Sequence, residues 1–115
     1  MCKNLIIALF ALMSHQMMAQ SDAIKTAEIK TNIYCDHCQE CPDCGKNIFM
    51  NVKGNKGIKS VNVDDIKEVI TVAYDSEKVS LEEIEASIAM AGFDANERKA
   101  DPEAYQKLDG CCKKP

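Results

Sequence analysis

The spacing of apolar side chains changes across one short, cysteine-rich segment, and this change restricts the fold more than any other feature. In residues 27–35 every second side chain can face a core, which is the alternation of a half-buried strand. Cys44, Ile48 and Val52 are instead four residues apart, so they would lie along one stripe of a helix. The sequence therefore predicts a strand whose inward face ends at Cys35, a helix whose inward stripe begins at Cys44, and a loop between them.

The rest of the chain supplies the remaining elements of a small α+β domain. Ser80 and Glu83 have the spacing of a capping box, and the helix that they open would end at Gly92. Further strands are predicted over residues 58–63, 66–74 and 93–99. The order β-α-β-β-α-β predicts a ferredoxin-like fold, a four-stranded antiparallel sheet with two helices on one face.

The C-terminal segment, residues 101–115, is predicted to form a short helix and a tail. Asp101 would cap this helix and Pro102 would occupy its first turn. The helix could return the chain, so that Cys111 or Cys112 completes a coordination shell near the cysteine-rich loop. The alternative is a flexible tail that captures metal transiently or carries a disulfide.

The N-terminus has the composition of an export signal. Lys3 precedes an unbroken apolar run over residues 5–13, and Ala19 closes a small-residue cleavage site. We therefore expect a signal peptide over residues 1–19, a polar leader over residues 20–26 and a periplasmic or otherwise exported protein. The run is short for a membrane span, so we expect only transient membrane contact through the signal peptide. The alternative is an uncleaved N-terminal anchor.

Charge and cysteine usage restrict the class of protein. The net charge of −4 argues against a nucleic-acid partner, which would favour basic patches. Of the seven cysteines, Cys2 would leave with the signal peptide. The six that remain form an even number, which in an exported protein also raises the alternative of disulfides.

The cysteine-rich segment itself predicts a metal site. Four cysteines recur at every third position with a histidine among them, and thiolates bind soft metal ions strongly. No comparable acid/base or nucleophile arrangement appears elsewhere, so we expect no enzyme. His37 could be a ligand or a solvent-facing loop residue. The candidate ligands are Cys35, His37, Cys38, Cys41, Cys44, Cys111 and Cys112.

Residues 26–97 resemble the heavy-metal-associated domain family, and the domain would occupy residues 27–100. The resemblance rests on Gly-Ile at 57–58, Ile-Thr-Val-Ala-Tyr-Asp at 70–75 and Ile-Ala-Met-Ala-Gly-Phe at 88–93. The family includes copper chaperones, the N-terminal modules of metal-pumping ATPases and the periplasmic mercury-binding protein. Its fold is the ferredoxin-like arrangement predicted above.

The metal motif departs from the family pattern, Met-x-Cys-x-x-Cys at the first strand–helix junction. Ile33 stands where the methionine would be if Cys35 were the first ligand. The family pair could be Cys41 and Cys44, or Cys35 and Cys44 with six residues inserted between them. Because the strand alternation places Cys35 on the inward side, we expect a loop that collects three or four thiolates, and not the family's usual two.

Three functions are compatible with this sequence. The resemblance implies a carrier or scavenger that binds Cu(I), Hg(II), Zn(II) or Cd(II) and passes it to a membrane metal transporter or metal-pumping ATPase. The second is a small interaction module held by a structural zinc or by disulfides. The third, prompted by the C-x-x-C pairs, is a thiol–disulfide oxidoreductase.

Overall fold

The computed structural model describes residues 23–34 and 44–114, which form one antiparallel sheet with helices. The strands are β1 (Ile24–Lys30), β2 (Ile58–Asp64) and β3 (Val69–Asp75). The helices are α1 (Gly45–Lys53), α2 (Leu81–Met90) and α3 (Pro102–Gln106), followed by a 3₁₀ turn (Gly110–Cys112). None of the helices within these ranges is both long and apolar enough to cross a membrane.

The sheet has the order β1-β3-β2, with β3 in the centre and both pairings antiparallel. Ile70 of β3 lies opposite Ile29 on one side and Val63 on the other. All three side chains are buried, so this row of the sheet faces the core. The predicted α+β class with an antiparallel sheet is confirmed for the described residues.

The predicted fourth strand is not present in the part of the chain that the structure describes. Residues 93–99 form a tight turn with one isolated bridge, between Ala95 and Arg98. Asn96 has a φ of 54° and reverses the chain. The Asp94 carboxylate accepts a hydrogen bond from Ala100 N at 2.8 Å, which closes the loop that contains this turn. A turn closed in this way leaves too few extended residues for a strand.

Strand β1 is displaced toward the N-terminus relative to its prediction, but its inward face is as expected. The ladder with β3 ends at Lys30, because Glu68, the residue before β3, belongs to a turn. Glu68 makes separate hydrogen bonds to the residues that follow β1. Glu68 O accepts from Thr31 N at 3.0 Å, and Glu68 Oε1 accepts from Ile33 N at 3.1 Å. Thr31 and Ile33 are buried, so the predicted alternation is confirmed as far as Ile33. Cys35 lies outside the described residues.

Strand β3 begins three residues later than predicted, because a turn takes the place of its first residues. The Asp64 carboxylate accepts hydrogen bonds from Ile66 N at 3.1 Å and from Lys67 N at 3.0 Å. These bonds close a turn that leaves the side chain of Ile66 91% exposed. Apolar character alone therefore gave the wrong strand boundary here.

Both principal helices contribute buried apolar residues to the core. Cys44, Ile48 and Val52 are fully buried along α1, which confirms the predicted stripe. The capping box that opens α2 is also confirmed: Ser80 Oγ accepts from Glu83 N at 3.2 Å, and Ser80 N donates to Glu83 Oε2 at 2.9 Å. Buried residues of both helices belong to the same apolar cluster as those of the sheet.

The C-terminal segment folds back over the end of α2. Asp101 N donates to Ala89 O at 2.9 Å, and the Asp101 side chain accepts from Ala104 N at 3.0 Å as the predicted cap of α3. Leu108 continues into the core. This segment therefore belongs to the packed domain, and its helix ends at Gln106.

Candidate metal-binding site

A disulfide joins the beginning of α1 to the C-terminal turn. The sulfurs of Cys44 and Cys112 are 2.07 Å apart, and 68 residues separate the two positions in the sequence. Cys44 is fully buried and Cys112 is 1% exposed. Both cysteines were predicted to supply metal ligands. This prediction does not hold for the disulfide-bonded form, because a sulfur in a disulfide is not the thiolate that coordinates a metal ion.

Cys44 reaches this position because it starts the buried stripe of α1. It is the residue before the first helical residue, and its carbonyl oxygen accepts the first helical hydrogen bond, from Ile48 N at 3.0 Å. Its side chain makes no capping hydrogen bond. The same four-residue spacing that buries Ile48 and Val52 therefore also directs the Cys44 sulfur into the core.

Cys112 reaches Cys44 because the last part of the chain returns across the domain. Gly92 ends α2 with a φ of 99°, and α3 packs so closely that a Cβ on Gly92 would lie 3.1 Å from Ala104 O. Leu108 then enters the core, and Cys112 N donates to Asp109 O at 2.9 Å in the 3₁₀ turn. The C-terminal segment thus returns to Cys44, the last cysteine of the cysteine-rich segment, and Cys112 is the residue that reaches it.

The neighbouring Cys111 lies outside this disulfide and is exposed. Its sulfur is 3.9 Å from the sulfur of Cys112. Three of the predicted ligands, Cys44, Cys111 and Cys112, are therefore brought together at one end of the domain. In residues 23–34 and 44–114, no three cysteine, histidine, aspartate or glutamate side chains are arranged to hold a metal ion.

The other four predicted ligands lie outside the described residues. They are Cys35, His37, Cys38 and Cys41. Cys35 directly follows Tyr34, and Cys41 precedes Cys44 by three residues. In the sequence they therefore stand between Tyr34 and Cys44.

A cleft lies beside the disulfide, and no pattern in the sequence predicts it. Its volume is about 260 Å³, and its lining includes Tyr34, Phe93, Tyr105 and Cys112. Phe93 is buried and also packs in the core. The cleft has a polar side, where Lys99 Nζ and Asp94 Oδ2 are 3.9 Å apart.

Solved structures with the same fold come from metal-binding proteins. A protein described as copper-ion-binding, from Bacillus anthracis strain Ames, is 27% identical, with a TM-score of 0.55 over 66% of this chain and all of that one. In fold, this chain is therefore similar to heavy-metal-associated domains. Oxidized MerP from Ralstonia metallidurans CH34 is 19% identical, with a TM-score of 0.55 over 64% of this chain and 96% of MerP.

A copper binding domain of the P-type ATPase HMA7 is 20% identical, with a TM-score of 0.54 over 62% of this chain and 89% of the domain. At such identities the MerP and ATPase structures show the heavy-metal-associated fold alone. No model of a known protein family matches the sequence. No curated protein matches it either.

Proposed function

We propose that the protein is a non-enzymatic, exported carrier or scavenger of a soft metal ion, which it binds through cysteine thiolates. The observation that carries this proposal is the position of Cys44 at the start of α1, directly after the segment that joins β1 to that helix. The metal motif of heavy-metal-associated domains lies at this junction. Copper is named for the Bacillus protein and for the ATPase domain of similar fold.

The ligands would come from the segment that joins β1 to α1. Cys41 and Cys44 have the C-x-x-C spacing of the family pair, and Cys35 and Cys38 extend it by two thiolates. His37 and Cys111 are further candidates. Cys44 and Cys112 could join them only after their disulfide is reduced, since coordination requires the thiolate.

Clustered thiolates suit a carrier because a metal ion can leave one sulfur at a time. An incoming thiolate of a partner binds before an outgoing thiolate of the carrier leaves, so the ion never becomes fully hydrated. Cu(I), Hg(II), Cd(II) and Zn(II) accept sulfur ligands of this kind. The receiving partner would be a membrane metal transporter or a metal-pumping ATPase.

A direct test begins with fully reduced mature protein that was purified without added metal. This protein is then titrated with each metal ion. We expect stoichiometric thiolate-to-metal absorption with Cd(II), and competition by Cu(I) and Hg(II). Cys41→Ser should weaken binding strongly. Ser60→Ala, on the exposed face of β2, should leave binding unchanged. The absence of binding tighter than roughly micromolar for all four ions, about −8 kcal/mol, would refute the proposal.

The buried Cys44–Cys112 disulfide favours a second candidate, an interaction module that is held together covalently and binds no metal. A reduced protein that folds but ignores all four ions would support this candidate. Catalytic reduction of insulin would instead indicate a thiol–disulfide oxidoreductase, which the C-x-x-C spacing alone prompts.

A further inference from the structure

We propose that Cys111 is the exchange thiol through which the buried Cys44–Cys112 disulfide is opened. The exchange itself requires no metal ion. Its consequence for metal binding, the release of Cys44 as a ligand, rests on the proposed function.

The arrangement of the three sulfurs supports this role. The two bonded cysteines are almost completely buried, so most of their surface is closed to a thiol in solution. Cys111 is exposed, and its sulfur lies 3.9 Å from that of Cys112. Within the described residues it is thus the one thiol that both meets solvent and lies beside the disulfide. Exchange proceeds by attack of a thiolate on a disulfide sulfur.

The exchange step conserves atoms and electrons. Cys111 loses its proton to water, and its thiolate attacks the Cys112 sulfur. The bond between Cys111 and Cys112 forms while the bond between Cys112 and Cys44 breaks, and the electron pair of that bond stays on Cys44. One disulfide and one thiolate are present before and after, so no oxidant or reductant takes part.

An external dithiol can then complete the reduction at the exposed site. It attacks the Cys111–Cys112 disulfide through a mixed disulfide. The second thiol of the dithiol then attacks the mixed disulfide, which releases the protein sulfur as a thiol and leaves the dithiol as an intramolecular disulfide. Two electrons pass to the protein, and Cys111 and Cys112 become thiols. The buried sulfurs are thus reduced without direct entry of the reductant.

The position of each sulfur explains which form prevails. The Cys44 thiolate would carry its charge in front of the first turn of α1, where the helix terminus favours an anion. Adjacent cysteines, however, have Cα atoms only about 3.8 Å apart, less than the roughly 4.4–6.8 Å of most disulfides. The Cys44–Cys112 form, with Cα atoms 6.4 Å apart, therefore dominates until a dithiol or a metal ion removes a product.

The result is redox control of the proposed metal site. While Cys44 is bonded to Cys112, the C-x-x-C pair lacks one of its thiolates. Opening through Cys111 supplies this thiolate at the start of α1. A soft ion that binds the Cys44 thiolate would in turn shift the exchange toward the open form, because the bound thiolate can no longer attack the Cys111–Cys112 disulfide.

The experiment follows reduction of the oxidised, metal-free mature protein by dithiothreitol. Samples are quenched with an alkylating agent, and the labelling of Cys44 is followed by peptide mass spectrometry. Cys111→Ser should slow the appearance of the Cys44 thiol at least about tenfold. Gly110→Ala is the control for disturbance of the turn, since its Cβ would meet no atom within 4 Å. It should react at the wild-type rate.

A second signature requires no reductant. Wild-type protein held with a limiting amount of alkylating agent at mildly alkaline pH should give two products: one labelled directly at the exposed Cys111, and one labelled at Cys44 with a linked Cys111–Cys112 peptide. Cys111→Ser should give neither product. Should that variant misfold, Cys111→Ala provides the same test without a hydroxyl group.

Equal rates in wild type and Cys111→Ser would overturn the proposal. They would mean that a small thiol reaches Cys112 through the adjacent cleft, or that a cysteine of residues 35–43 opens the disulfide. Cd(II) titration of the fully reduced proteins separates this failure from that of the proposed function. If the rates are equal but the reduced protein binds Cd(II), the proposed carrier function stands and the exchange role of Cys111 fails. If Cys111→Ser is slow but the reduced protein does not bind Cd(II), the exchange role stands and the carrier function fails.

Discussion

Asn96 and Lys30 exchange two hydrogen bonds at the outer edge of β1. Asn96 N donates to Lys30 O at 2.8 Å, and Lys30 N donates to Asn96 Oδ1 at 3.0 Å. Asn96 adopts a left-handed conformation that asparagine tolerates better than most residues with a side chain. One residue, through its backbone N–H and its side-chain oxygen, therefore satisfies the backbone of Lys30 at a place where a fourth strand would otherwise pair.

Substitution of Asn96 should measure how much these two hydrogen bonds and the turn conformation contribute to the free energy of unfolding. Asn96→Ala loses the acceptor for Lys30 N and places a less tolerant residue at positive φ, so we expect a loss of about 1–2 kcal/mol in the free energy of unfolding. Asn96→Gly removes the hydrogen bond but relieves the backbone, so its loss should be smaller. Urea denaturation followed by circular dichroism checks both. An alanine variant as stable as wild type would contradict this account.

Gly92 should tolerate substitution poorly because α3 packs directly against it. A Cβ would lie 3.1 Å from both Ala104 O and Leu108 Cδ1, and the φ of 99° already disfavours a side chain. We expect Gly92→Ala to reduce the free energy of unfolding by roughly 1–3 kcal/mol.

Gly110→Ala is the matched control for this prediction, because no atom lies within 4 Å of its Cβ. Thermal unfolding of both variants, each with the Cys44–Cys112 disulfide intact, should separate them clearly. Similar melting temperatures for the two variants would mean that the contact between α2 and α3 can relax at little cost.

Periodicity predicted the parts of the fold that a buried face determines. Ile29 and Ile33 on the strand, and Ile48 and Val52 on the helix, occupy the expected inward positions. The prediction failed where a polar side chain decides the backbone. Asp64 closes a turn that would read as strand from apolar content alone, and Asp94 closes the loop that replaces the predicted fourth strand.

The proximity of Cys44 and Cys112 could be anticipated, but their bond could not. The helix stripe placed Cys44 inward, and the short helix after Asp101 returned the chain toward it. A metal site and a disulfide both require sulfurs that converge, so spacing does not distinguish them. The difference depends on redox conditions, which leave no pattern in the sequence.

Reduction of the Cys44–Cys112 disulfide should destabilise the domain without unfolding it. The bond closes a loop across a separation of 68 residues and thereby restricts the unfolded chain. We expect a loss of roughly 2–4 kcal/mol, measured by guanidinium denaturation of oxidised and reduced protein without metal. Cys111→Ser should match wild type in the oxidised form. Equal stability of oxidised and reduced wild type would show that the tail contributes little to the fold.

Removal of metal should leave the domain folded, which distinguishes a carrier from a structural zinc protein. Ile48, Ile70 and Ile84 are fully buried in one apolar cluster that joins sheet and helices, and this cluster includes no metal ligand other than Cys44 and Cys112 among the described residues. We therefore expect chelator-treated, reduced protein to keep its circular dichroism and unfold cooperatively. In a domain that depends on structural zinc, folding and metal binding are coupled.

Addition of Cd(II) to the reduced, chelator-free protein should then raise its stability by mass action. A concentration of 100 times Kd corresponds to about 2.7 kcal/mol. The oxidised protein should gain less, since Cys44 is withheld by Cys112. Loss of circular dichroism on chelation alone would reverse the assignment, because it would make the metal a component of the fold and not a cargo.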